Sequence, residues 1–177
     1  MKIDAYETKI LESEARNIAS NKGNIIGKIL CKDISQIKKL YIENKIIELK
    51  ITYEPNLISK SILKKVNKKE QKIKLIADGS TGGVAYYESG LDTKKIDIEE
   101  DNVQLSAYED EILVEKAKKL ARRILRRRVG GDVSFEISKI QSIFRPYYVA
   151  FYGDVKEGNK VRYLPIAADG CQSKRTF

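Results

Sequence analysis

No histidine occurs in this 177-residue chain. Its absence removes the usual general base at neutral pH, every His-containing triad and every His metal site. Cysteine is scarce: Cys31 and Cys171 are the two present, too few for a Cys-only zinc site. In a chain without an export signal they read as free thiols. Cys171 has Lys174 and Arg175 nearby in sequence but no positioned base. No apolar run reaches the length needed to span a bilayer, and no charged-plus-apolar leader opens the chain. These two absences predict a soluble, cytoplasmic protein. The Gly79–Gly83 stretch (GSTGG) lacks the Gly-Lys-[Ser/Thr] ending and the following helix of a phosphate loop, so it reads as a hairpin turn. Asp97, Glu99, Glu100 and Asp101 lack the spacing of a calcium loop. The chain therefore reads as non-enzymatic and free of metal or cofactor.

What is present is an internal similarity. Residues Ala5 to Ala19 (AYETKILESEARNIA) return as Ala107 to Ala121 (AYEDEILVEKAKKLA), with seven of fifteen positions identical. The correspondence continues as Ile34-Ser35-Gln36-Ile37 with Ile137-Ser138-Lys139-Ile140, and as Leu75-Ile76-Ala77-Asp78-Gly79 with Ile166-Ala167-Ala168-Asp169-Gly170. Order is kept while one connection shortens, as surface connections allow. The extra length falls in the Lys-rich Asn56 to Gln71, which is long enough for a short helix.

Each half reads as a helix followed by strands. Leu11, Ala15, Ile18 and Ala19 form one apolar stripe, and Leu113, Ala117, Leu120, Ala121 and Ile124 form the other. Ser106 with Glu109 fits a capping box, and Gly130-Gly131 is placed to end the second helix. Runs rich in Ile, Val, Tyr and Phe follow at Ile34–Tyr53, Lys72–Glu88, Val133–Tyr152 and Lys160–Ala168. Asp78 to Gly83 and Gly153 to Asn159 carry hairpin chemistry, and Asn44 reads as a tighter turn or bulge. Pro146 and Pro165 point to edge strands or strand starts. Asp78 and Asp169, equivalent in the two halves, read as Asx-type turn residues.

The expected fold class is α+β, built of two duplicated helix-plus-antiparallel-sheet repeats packed as one unit. The first repeat is 1–88, an acidic connection or added strand spans 89–105, and the second repeat is 106–177. With 42% apolar residues the chain has enough for a core, but halves of about ninety residues bury little alone.

Helix, then strands, twice, each half closing on Asp-Gly, resembles tandem PepSY-type domains. Ala77-Asp78-Gly79-Ser80-Thr81-Gly82-Gly83-Val84 fits that family's last hairpin, an Asp followed three residues later by Thr-Gly. Ala168-Asp169-Gly170-Cys171-Gln172 departs from it in lacking Thr-Gly. The resemblance implies a binding or inhibitory module, of a kind commonly linked to proteases or the cell envelope, and implies no catalytic residue.

Net charge is +9, and it is concentrated. Lys116, Lys118, Lys119, Arg122, Arg123, Arg126, Arg127 and Arg128 follow one another with no acid between them, whereas Glu14 to Asn21 carries only Arg16. A helix of this kind sits against an acidic protein, a phosphate backbone or anionic lipid headgroups, or else is simply a solvated face. Nucleic acid has no supporting zinc, helix-turn-helix or RNP-type signature here. On the last hairpin, alternation sets Tyr147, Val149 and Phe151 on one face and Tyr148, Ala150 and Tyr152 on the other, one of them core. The expected function is a protein-interaction or inhibitory module for an acidic protein partner. Its candidate binding residues are Arg122, Arg123, Arg126, Arg127 and Arg128 on the helix and Arg145, Tyr147, Tyr148 and Tyr152 on the hairpin. The alternative is nonspecific nucleic-acid or anionic-membrane binding by the basic helix. An exposed sheet edge would also serve homo-oligomerisation.

Overall fold

The computed structural model describes residues 1–21, 34–55, 69–87, 90–126, 129–153 and 162–170. In chain order the elements are β1 (Lys2–Tyr6), α1 (Glu12–Asn21), β2 (Ile34–Pro55), β3 (Lys69–Asp78), β4 (Val84–Tyr86), β5 (Thr93–Asp97), a 3-10 turn (Glu100–Asn102), β6 (Val103–Gln104), α2 (Asp110–Leu125), β7 (Val129–Tyr152) and β8 (Arg162–Ala167). The class is α+β, as expected, but the sheet is mixed, not antiparallel throughout. β1 runs parallel to β7, with Ala5 opposite Phe144, and β6 runs parallel to β2, with Tyr41 opposite Val103.

The chain divides into two compact units: Met1–Ile42, Gly90–Gln104 and Phe144–Phe177 form the first, and Glu43–Ser89 with Leu105–Ile143 the second. Each draws on both halves of the sequence. The first unit combines α1 with the C-terminal part of β7 and with β8. The second combines α2 with the C-terminal part of β2, β3 and β4.

The second unit follows from strict alternation. Ile47, Leu49 and Ile51 of β2 and Ile73, Leu75 and Ala77 of β3 are buried, and the register Ile47↔Leu75 and Leu49↔Ile73 puts them on one face. Leu113, Val114, Ala117, Ala121 and Leu125 of α2 pack on that face. Ala117 and Ala121 are fully buried, and their small side chains let the helix backbone lie close to the strands. Each fully buried Leu or Ile contributes about 1.5–3 kcal/mol. The turn from β3 to β4 is the one expected from Asp78: its Oδ1 accepts from the amides of Ser80 (2.8 Å) and Thr81 (3.1 Å) and from the Ser80 hydroxyl (2.7 Å).

The first unit packs Ala15 and Ala19 of α1 against Tyr148, Ala150, Ile166 and Ala168, with Ile3, Ala5, Tyr41 and Phe144 forming a second cluster. The β7–β8 hairpin is present, pairing Tyr147 with Ala167 and Tyr152 with Arg162.

Several expectations are corrected. Leu11, expected in the apolar stripe of the first helix, precedes α1 and is 67% exposed, and the repeat's first residues, Ala5 and Tyr6, lie in β1. Ile124 is exposed, and Val114 takes a core place instead, because the helix turns that face to the sheet. Ser106 and Glu109 make no capping box. Ser106 Oγ accepts from the Tyr108 amide at 3.1 Å, and the helix begins without a side-chain cap. Gly130 and Gly131 belong to β7; α2 ends at Leu125. Asn44 lies within the uninterrupted β2, paired with Asp78. Pro146 is interior to β7, where its missing N–H is harmless: the neighbouring strand changes there from β1 at Phe144 to β8 at Tyr147. Pro165 does fit an edge, since β8 pairs with β7 alone among the described strands. Asp169 is buried and pairs with Arg145, and the residues that would complete an Asx turn after it lie outside the described residues. The possible helix between Asn56 and Gln71 lies largely outside the described residues, as do Cys31, Cys171, Arg127 and Arg128.

Candidate binding surface on the second helix

The polarity of α2 follows from its sequence order, acidic in the first turn (Asp110, Glu111) and basic in the last (Arg122, Arg123), which suits the helix dipole. The bases it carries have different fates. Lys116 donates to the Gly82 carbonyl at 3.1 Å and lies 4.3 Å over the Tyr108 ring, pinning the β3–β4 turn. Lys118 pairs with Glu115 at 2.8 Å. The Lys118 hydrogen bond, then its charge and those of Arg122 and Lys119, hold the exposed Glu115 carboxyl below its ordinary range. Lys119, Arg122, Arg123 and Arg126 are exposed and stand in no salt bridge among the described residues. Their spacing gathers them on the helix face opposite Ala117 and Ala121. Arg122 is further fixed, its guanidinium 5.1 Å over the ring of Phe135 on β7.

The expected hairpin residues are placed otherwise. Arg145 donates through Nε and Nη2 (3.1 Å) to the carboxylate of Asp169, which is 2% exposed, and its guanidinium lies 5.4 Å over the Tyr147 ring. Tyr148 is buried, and it packs with Tyr152 against the α1 side of the hairpin. The Tyr152 hydroxyl donates to the Ala19 carbonyl at 3.0 Å. Tyr148 and the half-buried Tyr152 therefore lie on the face of the strand that packs toward α1. The structure brings Arg122, Arg123 and Arg126 together on α2, and Arg145 and Tyr147 together on β7.

Sequence reasoning missed a polar cluster in the second unit. The buried Glu43 accepts from Ser142 Oγ at 2.6 Å and the Ser106 amide at 2.9 Å, and pairs with Lys45 Nζ at 3.0 Å. Lys45 also reaches Ser142 Oγ at 3.2 Å and Asp110 at 3.3 Å. Burial raises the Glu43 carboxyl, but bonds from Ser142, Ser106 and Lys45 outweigh it and the net shift is downward. Burial lowers Lys45, and its contacts with Glu43 and Asp110 outweigh that, so the net shift is upward. Ser142 thus stands beside a lysine that stays an ammonium at neutral pH, with no free amine to take its proton. The signal was available: Glu43 and Lys45 share strand parity with Ile47, Leu49 and Ile51, which puts two charges on the core-facing side.

A shallow, open hollow of about 550 Å³ is lined by Glu48, Lys72, Lys74, Tyr86 and Tyr87. Its charges already meet, Glu48 lying 3.4 Å from Lys72 and 3.6 Å from Lys74. Among the described residues no three His, Cys, Asp or Glu side chains are grouped to hold a metal ion. No helix among them is long and apolar enough to cross a membrane. Comparison of the chain with protein-family models, with curated proteins and with solved structures finds no match.

Proposed function

We propose that this protein is a non-enzymatic interaction module of tandem PepSY-like type, working in the cytoplasm, which docks an acidic protein partner on α2. The observation that carries the reading is the set of exposed cations, Lys119, Arg122, Arg123 and Arg126, in no salt bridge among the described residues. A helix face that leaves four like charges unneutralised is a field into which a complementary surface is steered. The order of helix, strand and hairpin in each half supports the duplicated-repeat part of the reading, as does the Asp78 turn. Base stacking along the helix would need an open ring beside it, and the ring next to its cations, Phe135, is covered by Arg122; the open rings of Tyr86 and Tyr163 lie on β4 and β8.

Fluorescence anisotropy at fixed ionic strength tests the reading, with a Glu-rich peptide, single-stranded DNA and phosphatidylserine vesicles as probes. The peptide binds, and an Arg122→Gln/Arg123→Gln/Arg126→Gln variant loses at least about tenfold, since removing three screened charges costs about 0.5 kcal/mol each before any directional contact is counted. Binding of DNA or vesicles without the peptide would sink the acidic-protein reading in favour of electrostatic binding to phosphate.

A further inference from the structure

The cations of α2 are not equivalent, and the difference lies in what holds each one still. Arg123, Arg126 and Lys119 extend from the helix and make no side-chain hydrogen bond, ion pair or ring contact among the described residues. Lys116 and Lys118 are held, but by contacts that occupy their ammonium groups. Arg122 differs from both sets. Its guanidinium carbon lies 5.1 Å from the centre of the Phe135 ring, a contact to an apolar ring that occupies none of its N–H donors with an acceptor among the described residues. Phe135 is itself set in place, half-buried and packed against the core of the second unit.

Resting on the acidic-partner reading, we infer that Arg122 is the anchor of this surface, that Phe135 is its positioning residue, and that the group received is a carboxylate of an Asp- or Glu-rich protein segment. Two physical arguments carry this. A guanidinium takes a carboxylate through two parallel N–H···O bonds, which a lysine ammonium cannot reproduce. Ordering a long side chain on binding weakens affinity by about two- to tenfold, and Phe135 has already ordered this one in the free protein. Arg123 and Arg126 then add long-range attraction, and Arg122 adds the geometry.

The test is a double-mutant cycle on the full chain, with the same Glu-rich peptide. Arg122→Lys keeps the charge and loses the fork. Phe135→Leu keeps the apolar volume and loses the ring face. Each weakens binding about fivefold, the double variant is no weaker than either alone within about twofold, and Arg123→Lys, which keeps the long-range charge, weakens it less than about twofold. Thermal melting confirms that Phe135→Leu is folded, and Arg122→Lys, an exposed change, carries the inference if it is not. Additive losses, or equal losses for Arg122→Lys and Arg123→Lys, overturn the anchor while leaving the acidic-partner reading intact. Failure of the wild-type protein to bind the peptide at all overturns that reading, and the anchor with it.

Discussion

Glu43 shows how little a residue's type says about its role until its parity is read. Charged residues within Ile34–Tyr53 look like the solvated side of a strand, and Glu48 and Lys50 are that. Glu43 and Lys45 are on the other side, and the burial cost is met by Ser142, Ser106 and Asp110, residues far away in sequence. Alternation makes the conflict visible, but the partner Ser142, 99 residues away, is not legible from any local pattern. The cluster has a pH signature. The Glu43 carboxyl is lowered from its ordinary 4.5, so its stabilising contribution is complete above that value and is lost as pH falls below it. Lys45 is raised from 10.5, so its share is present below that value and fades above it. Glu43→Gln is expected to cost about 3 kcal/mol at neutral pH, because it breaks a buried pair. Urea denaturation across pH should show the gap between wild type and variant closing below about pH 4.5. A gap that stays constant down to pH 3 would show that the carboxylate charge is not what stabilises the cluster.

At the scale of elements, the place and chemistry of the turn from β3 to β4 are legible in the sequence and the helix ends are not. Asp78-Gly79 signalled a hairpin because an Asx side chain and a glycine do local work, and local work is what sequence encodes most directly. Gly79 is required for a reason the sequence does not carry: a Cβ there would lie 2.2 Å from the Glu43 carbonyl oxygen, to which its own amide donates at 3.1 Å. Gly79→Ala therefore destabilises by about 1–3 kcal/mol, since a backbone atom must shift. Gly83→Ala, whose Cβ meets only the Thr81 hydroxyl at 3.3 Å, costs well under half as much. Equal melting temperatures for the two variants would contradict this account. The helix boundaries went astray because their signals compete. Ser106 spends its hydroxyl on the Tyr108 amide and carbonyl (3.1 and 2.9 Å), and Gly130-Gly131 serves a strand instead of a cap. In α1 the side-chain contact that does form is from the far end of the turn, Glu14 accepting from the Leu11 amide at 2.8 Å.

For the whole molecule, alternation says which strand face is buried but not by which helix, so the assembly of the units could not be read from the chain. Nearest-neighbour reasoning would give each half its own helix and its own hairpin. Instead α1 packs on Tyr148, Ala150, Ile166 and Ala168, and α2 packs on Ile47, Leu49, Ile51, Leu75 and Ala77. Neither 1–88 nor 106–177 therefore contains a complete core, and a helix separated from its hairpin would leave buried alanines and isoleucines facing water. The peptide link between the halves is consequently dispensable for the contacts, though not for their effective concentration. A protease site introduced after Ser89 tests this on the intact protein. After cleavage the two fragments should elute together from gel filtration and part only in denaturant, and the melting temperature should become concentration-dependent, since unfolding then separates two chains. Fragments that elute singly, each with the circular dichroism of a folded domain and a cooperative melt, would mean that each half closes on its own core, and the exchange of hairpins between halves would then be wrong.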